Sequence, residues 1–175
     1  AAHHDLMTRC SAMMMSIGRL PQPVIAKVKA VATAAGCQLV AACDLAVASS
    51  TATFATSGII NGLFCGTPSV AVGRTIGPKR ALDMLFTGQF VDAGTALRDG
   101  LVSRVVPPAD LDRETKALAD QFAAQPPQQI ASGKAMFAKH MEMTVEQAYA
   151  YATDFMAGAL QREDAQAGID SFVNK

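Results

Sequence analysis

The segment Ala34-Ala35-Gly36-Cys37-Gln38-Leu39 holds the residues whose types and spacing best suit chemistry. It follows an apolar run of Val24, Ile25, Ala26 and Val28, which reads as a buried strand after Pro23. Gly36 stands where the chain is expected to turn into a short apolar helix over Cys37 to Cys43. The first turn of a helix carries unpaired N–H groups and a partial positive charge. Among Ala34, Ala35, Leu39 and Val40 that charge is little screened. Backbone N–H groups of Ala35 and Gly36 are therefore candidates to polarise a carbonyl oxygen, as an oxyanion hole does. The same letters also fit a tight turn of small residues packed under a helix.

Gln38 has two readings: its amide holds a water or an acyl group, or it caps a neighbouring backbone group, since a buried amide must bond to something. A thiolate at Cys65 would act as a nucleophile only with a base beside it, and none is near in sequence; a small buried hydrophobe is the plainer reading. His3, His4 and His140 are too scattered for a triad or a metal set, and His3-His4-Asp5 reads as a polar helix start. The spacing of Gly62, Gly66, Gly73 and Gly77 matches no phosphate loop and suits turns and caps.

These residues need elements to position them. Ser11 to Ile17, with Met13, Met14 and Met15 as gap-fillers, reads as a helix packed on the core. Strands are expected over Leu45 to Ala48 and around Thr53 to Ala55. A helix capped by Thr67 with Pro68 in its first turn should close at Gly77, and one from Pro78 should end at Gly88. Asp92 caps a short helix closed by Gly100, leading into a strand over Leu101 to Val106. Helices follow: one with Leu111, Thr115, Leu118 and Phe122 on one face, one over Ile130 to Met141, and one opened by a Thr144–Gln147 capping box. A final short helix reaches Phe172. Strands mixed with helices, then helices alone, make an α/β core with a helical tail. No internal repeat or low-complexity linker stands out.

At this point the chain resembles the enoyl-CoA hydratase/isomerase, or crotonase, family. The resemblance rests on Ala34 to Leu39, on Cys43-Asp44 before Leu45 to Ala48, and on Phe54 and Gly62. Gly77-Pro78-Lys79-Arg80-Ala81, Leu85-Phe86-Thr87-Gly88, Asp92-Ala93 and Gly100 to Pro107 continue it in order. It implies a ββα spiral core over residues 1–107 and a helical trimerisation region over 108–175. It also implies an acyl-CoA thioester as partner, with CoA entering as part of the substrate and no separate cofactor or metal. A homotrimer or dimer of trimers is the implied assembly. Ala35 matches the residue whose amide binds the thioester oxygen. Phe172 and Lys175 match a closing motif that reaches the CoA of a neighbouring subunit.

The family's hydratases use two glutamates, and here those positions hold Gln38 and Gly58. Neither side chain can give or take a proton near neutral pH. The expected function is thus an acyl-CoA-binding hydratase/isomerase relative that polarises a thioester carbonyl but hydrates poorly. The alternative is a catalytically silent acyl-CoA-binding or regulatory subunit. Gly58 is expected to widen the acyl pocket.

Composition bounds the rest. The chain has 175 residues, half of them hydrophobic, enough for one domain with a real core. A whole crotonase is longer, so this is expected to be the carboxyl-terminal part of a larger protein. Fifteen basic and fifteen acidic residues are scattered and cancel, which argues against nucleic acid as a partner. No apolar run reaches the roughly 18 residues of a membrane span. Cys10, Cys37, Cys43 and Cys65 lack metal or disulfide-scaffold spacing, which points to reduced thiols and a cytoplasmic protein.

Overall fold

The computed structural model describes residues 1–173 and forms two units, Ala1–Ile130 and one beginning at Ala131. In chain order the first unit holds α1 (Ala2–Arg19), β1 (Ile25–Val28), β2 (Val31–Thr33), α2 (Ala35–Ala42), β3 (Leu45–Ser49) and β4 (Thr53–Ala55). A 3-10 turn over Ser57–Asn61 leads to α3 (Gly66–Ile76), α4 (Pro78–Thr87), β5 (Val91–Asp92), α5 (Ala93–Arg98), β6 (Arg104–Val106) and α6 (Leu111–Ala123).

Two small sheets organise it. β1, β3 and β6 are parallel, with Ile25 opposite Leu45 and Val47 opposite Arg104. β2 and β4 are also parallel, with Thr33 opposite Ala55, and β5 closes that sheet antiparallel. Only Lys29 and Ala30 separate β1 from β2, so the chain passes directly from one sheet to the other. It repeats that step between β3 and β4 after the α2 crossover that parallel strands require. β4 lies at the expected Thr53 to Ala55, whereas β2, three residues long, is too short for periodicity to register, so the repeat of strand, strand and helix does not stand out in the sequence pattern.

β3 shows why the core is two-sided. Ala46 and Ala48 face the main cluster with Val28, Cys37, Val40 and Phe54, while Val47 faces Leu111 and Leu118 of α6. That alternation is the strand period of two, with both faces apolar as in a covered parallel sheet.

Several boundaries differ from expectation. The strand expected from Leu101 begins at Arg104, because the amides of Leu101 and Val102 both donate to the carbonyl of Ala96 and wrap the end of α5. α3 starts at Gly66 with Cys65 as its N-cap, two residues earlier than a Thr67 cap. Helix α1 is longer than the Ser11–Ile17 segment, running from Ala2 with Asp5 in its first turn.

The chain continues through α7 (Pro127–His140), which crosses from the first unit into the second, to α8 (Val145–Leu160) and α9 (Glu163–Val173). α7 opens at Pro127 rather than Ile130, since proline suits a first helical position. α8 has the expected capping box: Gln147 N–H donates to Thr144 Oγ1 at 3.3 Å and Thr144 N–H to Gln147 Oε1 at 3.1 Å. Lys139 Nζ lies 4.6 Å from the centre of the Tyr151 ring. Phe137, Met141, Tyr149 and Met156 are exposed. No helix among the described residues is long and apolar enough to cross a membrane.

Candidate functional site

The parallel strands β2 and β4 end side by side, and the two positions singled out in the sequence follow directly from those ends. β2 runs into α2, and β4 runs into the turn that holds Gly58. The hydroxyls of Thr33 and Ser57, 2.7 Å apart, tie the two exits together. Carboxyl ends of parallel strands are the common location of ligand sites in α/β proteins.

The turn into α2 is made by Ala34, not by Gly36. Ala34 has φ 50 and ψ −115, a conformation that alanine rarely adopts, whereas Gly36 lies within the helix. Ala34 is held there from both sides: its N–H donates to the Ala55 carbonyl at 3.0 Å, and its carbonyl accepts from Gln38 N–H at 3.0 Å. Gln38 is thus the first amide of α2 with an acceptor. The N–H groups of Ala35, Gly36 and Cys37 have none among the described residues, and Ala35 and Gly36 are solvent-exposed. Three neighbouring donors at a helix start attract an oxygen carrying negative charge.

Gln38, one turn further on, is 4% exposed, and its Oε1 has no hydrogen-bond partner among the described residues. The backbone-cap reading of this residue is therefore not the one observed. Gln38 lies on the wall of a cavity of about 370 Å³ between α1, α2 and α3, with Met14, Met15, Ala42, Val70 and Arg74. That wall carries no carboxylate and no histidine among the described residues. The methionine run of α1 is split: Met14 is buried, Met13 and Met15 are exposed, and Met14 and Met15 border the cavity. The sequence offered no signal for this, because α1 and α3 meet only through the fold.

Gly58 does not widen a pocket, contrary to the expectation from its lack of a side chain. A Cβ built there would lie 2.7 Å from Cys65 Sγ and closer still to the Leu63 carbonyl oxygen. The glutamate's space is occupied by the chain's own atoms. Cys65 Sγ instead accepts the Gly58 N–H at 3.3 Å. Burial, with Cys65 nearby, pushes the Cys37 thiol up to about 12, so it stays protonated and unreactive near neutrality. Thr56 Oγ1, fully buried just before this turn, also lacks a partner among the described residues, a feature that sequence reasoning missed.

Phe172 lies in α9 and is 79% exposed. Lys175 lies outside the described residues.

The chain is similar to known proteins over nearly its whole length. The sequence profile described as Enoyl-CoA hydratase/isomerase matches residues 2–175. A Mus musculus protein named "Enoyl-CoA hydratase domain-containing protein 3, mitochondrial" is 46% identical over 99% of this chain, which spans 58% of that protein's length. A crystal structure of an enoyl-CoA hydratase of Mycobacterium smegmatis superposes with a TM-score of 0.96 at 48% identity, covering 99% of this chain and 67% of that one. The crystal structure of human enoyl-CoA hydratase domain-containing protein 3 gives a TM-score of 0.94 at 45% identity, over 98% and 68% of the two chains. The fold is crotonase-like, with carboxyl-terminal helices. The cytoplasmic expectation is corrected by the mouse relative, which is named mitochondrial. Unpaired cysteines separate reducing from oxidising surroundings and do not distinguish one reducing compartment from another.

Proposed function

The chain belongs to the enoyl-CoA hydratase/isomerase family, and from that premise we propose that it binds acyl-CoA thioesters with the thioester oxygen at the amides of Ala35 and Gly36. The observation that carries this reading is the trio of unpartnered N–H groups opening α2, two of them exposed, beside a buried glutamine with an unpaired oxygen. Donors fixed before the ligand arrives stabilise enolate character on that oxygen without reorganising. Ala34, pinned between Ala55 and Gln38, is what fixes them.

Water addition to a 2-enoyl-CoA is weak or absent in this reading. Hydration needs a proton donor and acceptor near the double bond, and neither Gln38 nor the filled space at Gly58 supplies one. Isomerisation or another enolate reaction draws its base from elsewhere in the whole protein or from a neighbouring subunit. The exposed apolar residues of α7 and α8 suit burial in a trimer, and exposed Phe172 suits a contact with the adenine of CoA, with Lys175 on a phosphate. The carboxylate-free cavity wall favours one second reading, an acyl-CoA-binding subunit without turnover.

The test is calorimetric titration with a panel of acyl-CoA esters beside a crotonyl-CoA hydration assay. We expect binding, with hydration about 10²- to 10⁴-fold below that of a glutamate-bearing hydratase, the usual worth of acid–base catalysis. Absence of acyl-CoA binding overturns the reading. Binding with no turnover on any ester favours the silent subunit.

A further inference from the structure

We infer that the acyl group this site takes ends in a carboxylate, held by Arg74 on the wall of the cavity that Gln38, one turn beyond Ala35, borders. The inference deepens the thioester reading and rests on it.

The path is set by α2. Ala35, Gln38 and Ala42 are spaced by three and four residues, so they share one face of the helix, and Gln38 and Ala42 of that face border the cavity. A carbonyl held at the Ala35 amide therefore sends its acyl chain along that face. The chain passes the Gln38 amide and runs between Met14 and Met15 on one side and Val70 and Ala71 on the other. Those walls are apolar and take methylene groups.

The far end is fixed by a hydrogen bond. Thr75 Oγ1 shares its one proton between the Ala71 carbonyl of its own helix at 2.9 Å and the Ala41 carbonyl at 3.2 Å, which brings the end of α3 against the end of α2. Ala41 is six residues beyond Ala35, about 9 Å at the helical rise. There the wall changes character. Arg74, next to Thr75, is the one charged side chain on it among the described residues. Its Nη1 donates to the Val70 carbonyl of its own helix at 3.2 Å, and no carboxylate pairs with it among the described residues. The other guanidinium donors have no hydrogen-bond acceptor among the described residues, and the side chain is solvent-exposed. An arginine fork matches a carboxylate in geometry and charge, so a carboxylate end gains a partner that a methyl end does not. Apolar walls leading from a carbonyl site to an unpaired guanidinium suit a dicarboxylic acyl chain.

The experiment compares matched pairs by calorimetry on the whole protein: adipyl-CoA against hexanoyl-CoA, and suberyl-CoA against octanoyl-CoA. The expected result is about tenfold tighter binding of the carboxylate-ended member in at least one pair, the order of a partly exposed charged hydrogen bond. Arg74→Gln should erase that preference, with the variant's thermal unfolding midpoint compared with the wild type as the folding control. Arg74→Lys should keep part of it. Equal affinities within both pairs, or a preference that survives Arg74→Gln, overturn the inference while leaving the thioester reading intact. Failure of all four esters to bind sinks both. Should Arg74→Gln not fold, the wild-type pairs alone still decide.

Discussion

The amide of Ala34 donates to the carbonyl of Ala55 at 3.0 Å while Ala34 itself holds φ 50 and ψ −115. One residue thus extends the β2–β4 ladder and bends the chain into α2. The bend opens α2, whose next three amides have no acceptors among the described residues, two of them on exposed residues, so the strain and the candidate site have the same origin.

Replacing Ala34 by glycine removes the Cβ that makes this conformation costly. The conformational relief is about 1–3 kcal/mol, offset by about 0.4–1 kcal/mol of extra freedom in the unfolded chain. We expect Ala34→Gly to stabilise the protein by about 1 kcal/mol in urea unfolding, and Ala34→Val to destabilise it. A loss of stability in the glycine variant would mean that the alanine is not strained.

Gly58 should not accept the missing glutamate. A Cβ there meets Cys65 Sγ at 2.7 Å as well as a backbone oxygen, and overpacking of this kind costs about 1–3 kcal/mol. Gly58→Ala should lose that much in denaturant unfolding, and Cys65→Ala in the same background should restore part of it. Gly58→Glu should not recover crotonyl-CoA hydration.

The unpaired oxygen of buried Gln38 is a cost to the ligand-free protein. A methionine of similar shape lacks that polar group, so Gln38→Met should leave stability unchanged or raise it by about 1 kcal/mol. It should at the same time weaken acyl-CoA binding. Stability and affinity moving in the same direction would contradict a ligand-facing role for this amide.

Cys37 makes stability depend on alkaline pH. Burial first, and Cys65 second, raise its thiol from an ordinary 9.0 to about 12. Above 9 the unfolded chain sheds this proton and the folded one keeps it, so the contribution is intact at neutral pH and is lost between about 9 and 12. The slope is at most about 1.4 kcal/mol per pH unit. Subtracting the profile of Cys37→Ala from that of the wild type isolates it; parallel profiles would show an ordinary thiol.

How much of this was legible in the sequence varies by element. The Thr144–Gln147 box, the Gly88 helix end and the Asp92 cap follow local hydrogen-bonding rules that depend on a few adjacent residues, and all three are present. β2 and β5 depend on partners far away in the chain and were not foreseen, nor was Ala34 as the turn residue, since its conformation is imposed by Ala55. Gly36 looked like the turn because glycine tolerates any backbone angle. The filled space at Gly58 depends on how Leu63 and Cys65 fold back, and the cavity depends on α1 meeting α3, neither of which periodicity reveals.

The most direct test of the account is a crystal structure of the whole protein with a bound acyl-CoA ester. The account predicts the thioester oxygen at about 3 Å from the Ala35 amide nitrogen, with the Gly36 amide beside it. An ordered ester whose oxygen lies elsewhere, or those amides bonded to another part of the protein, would contradict it.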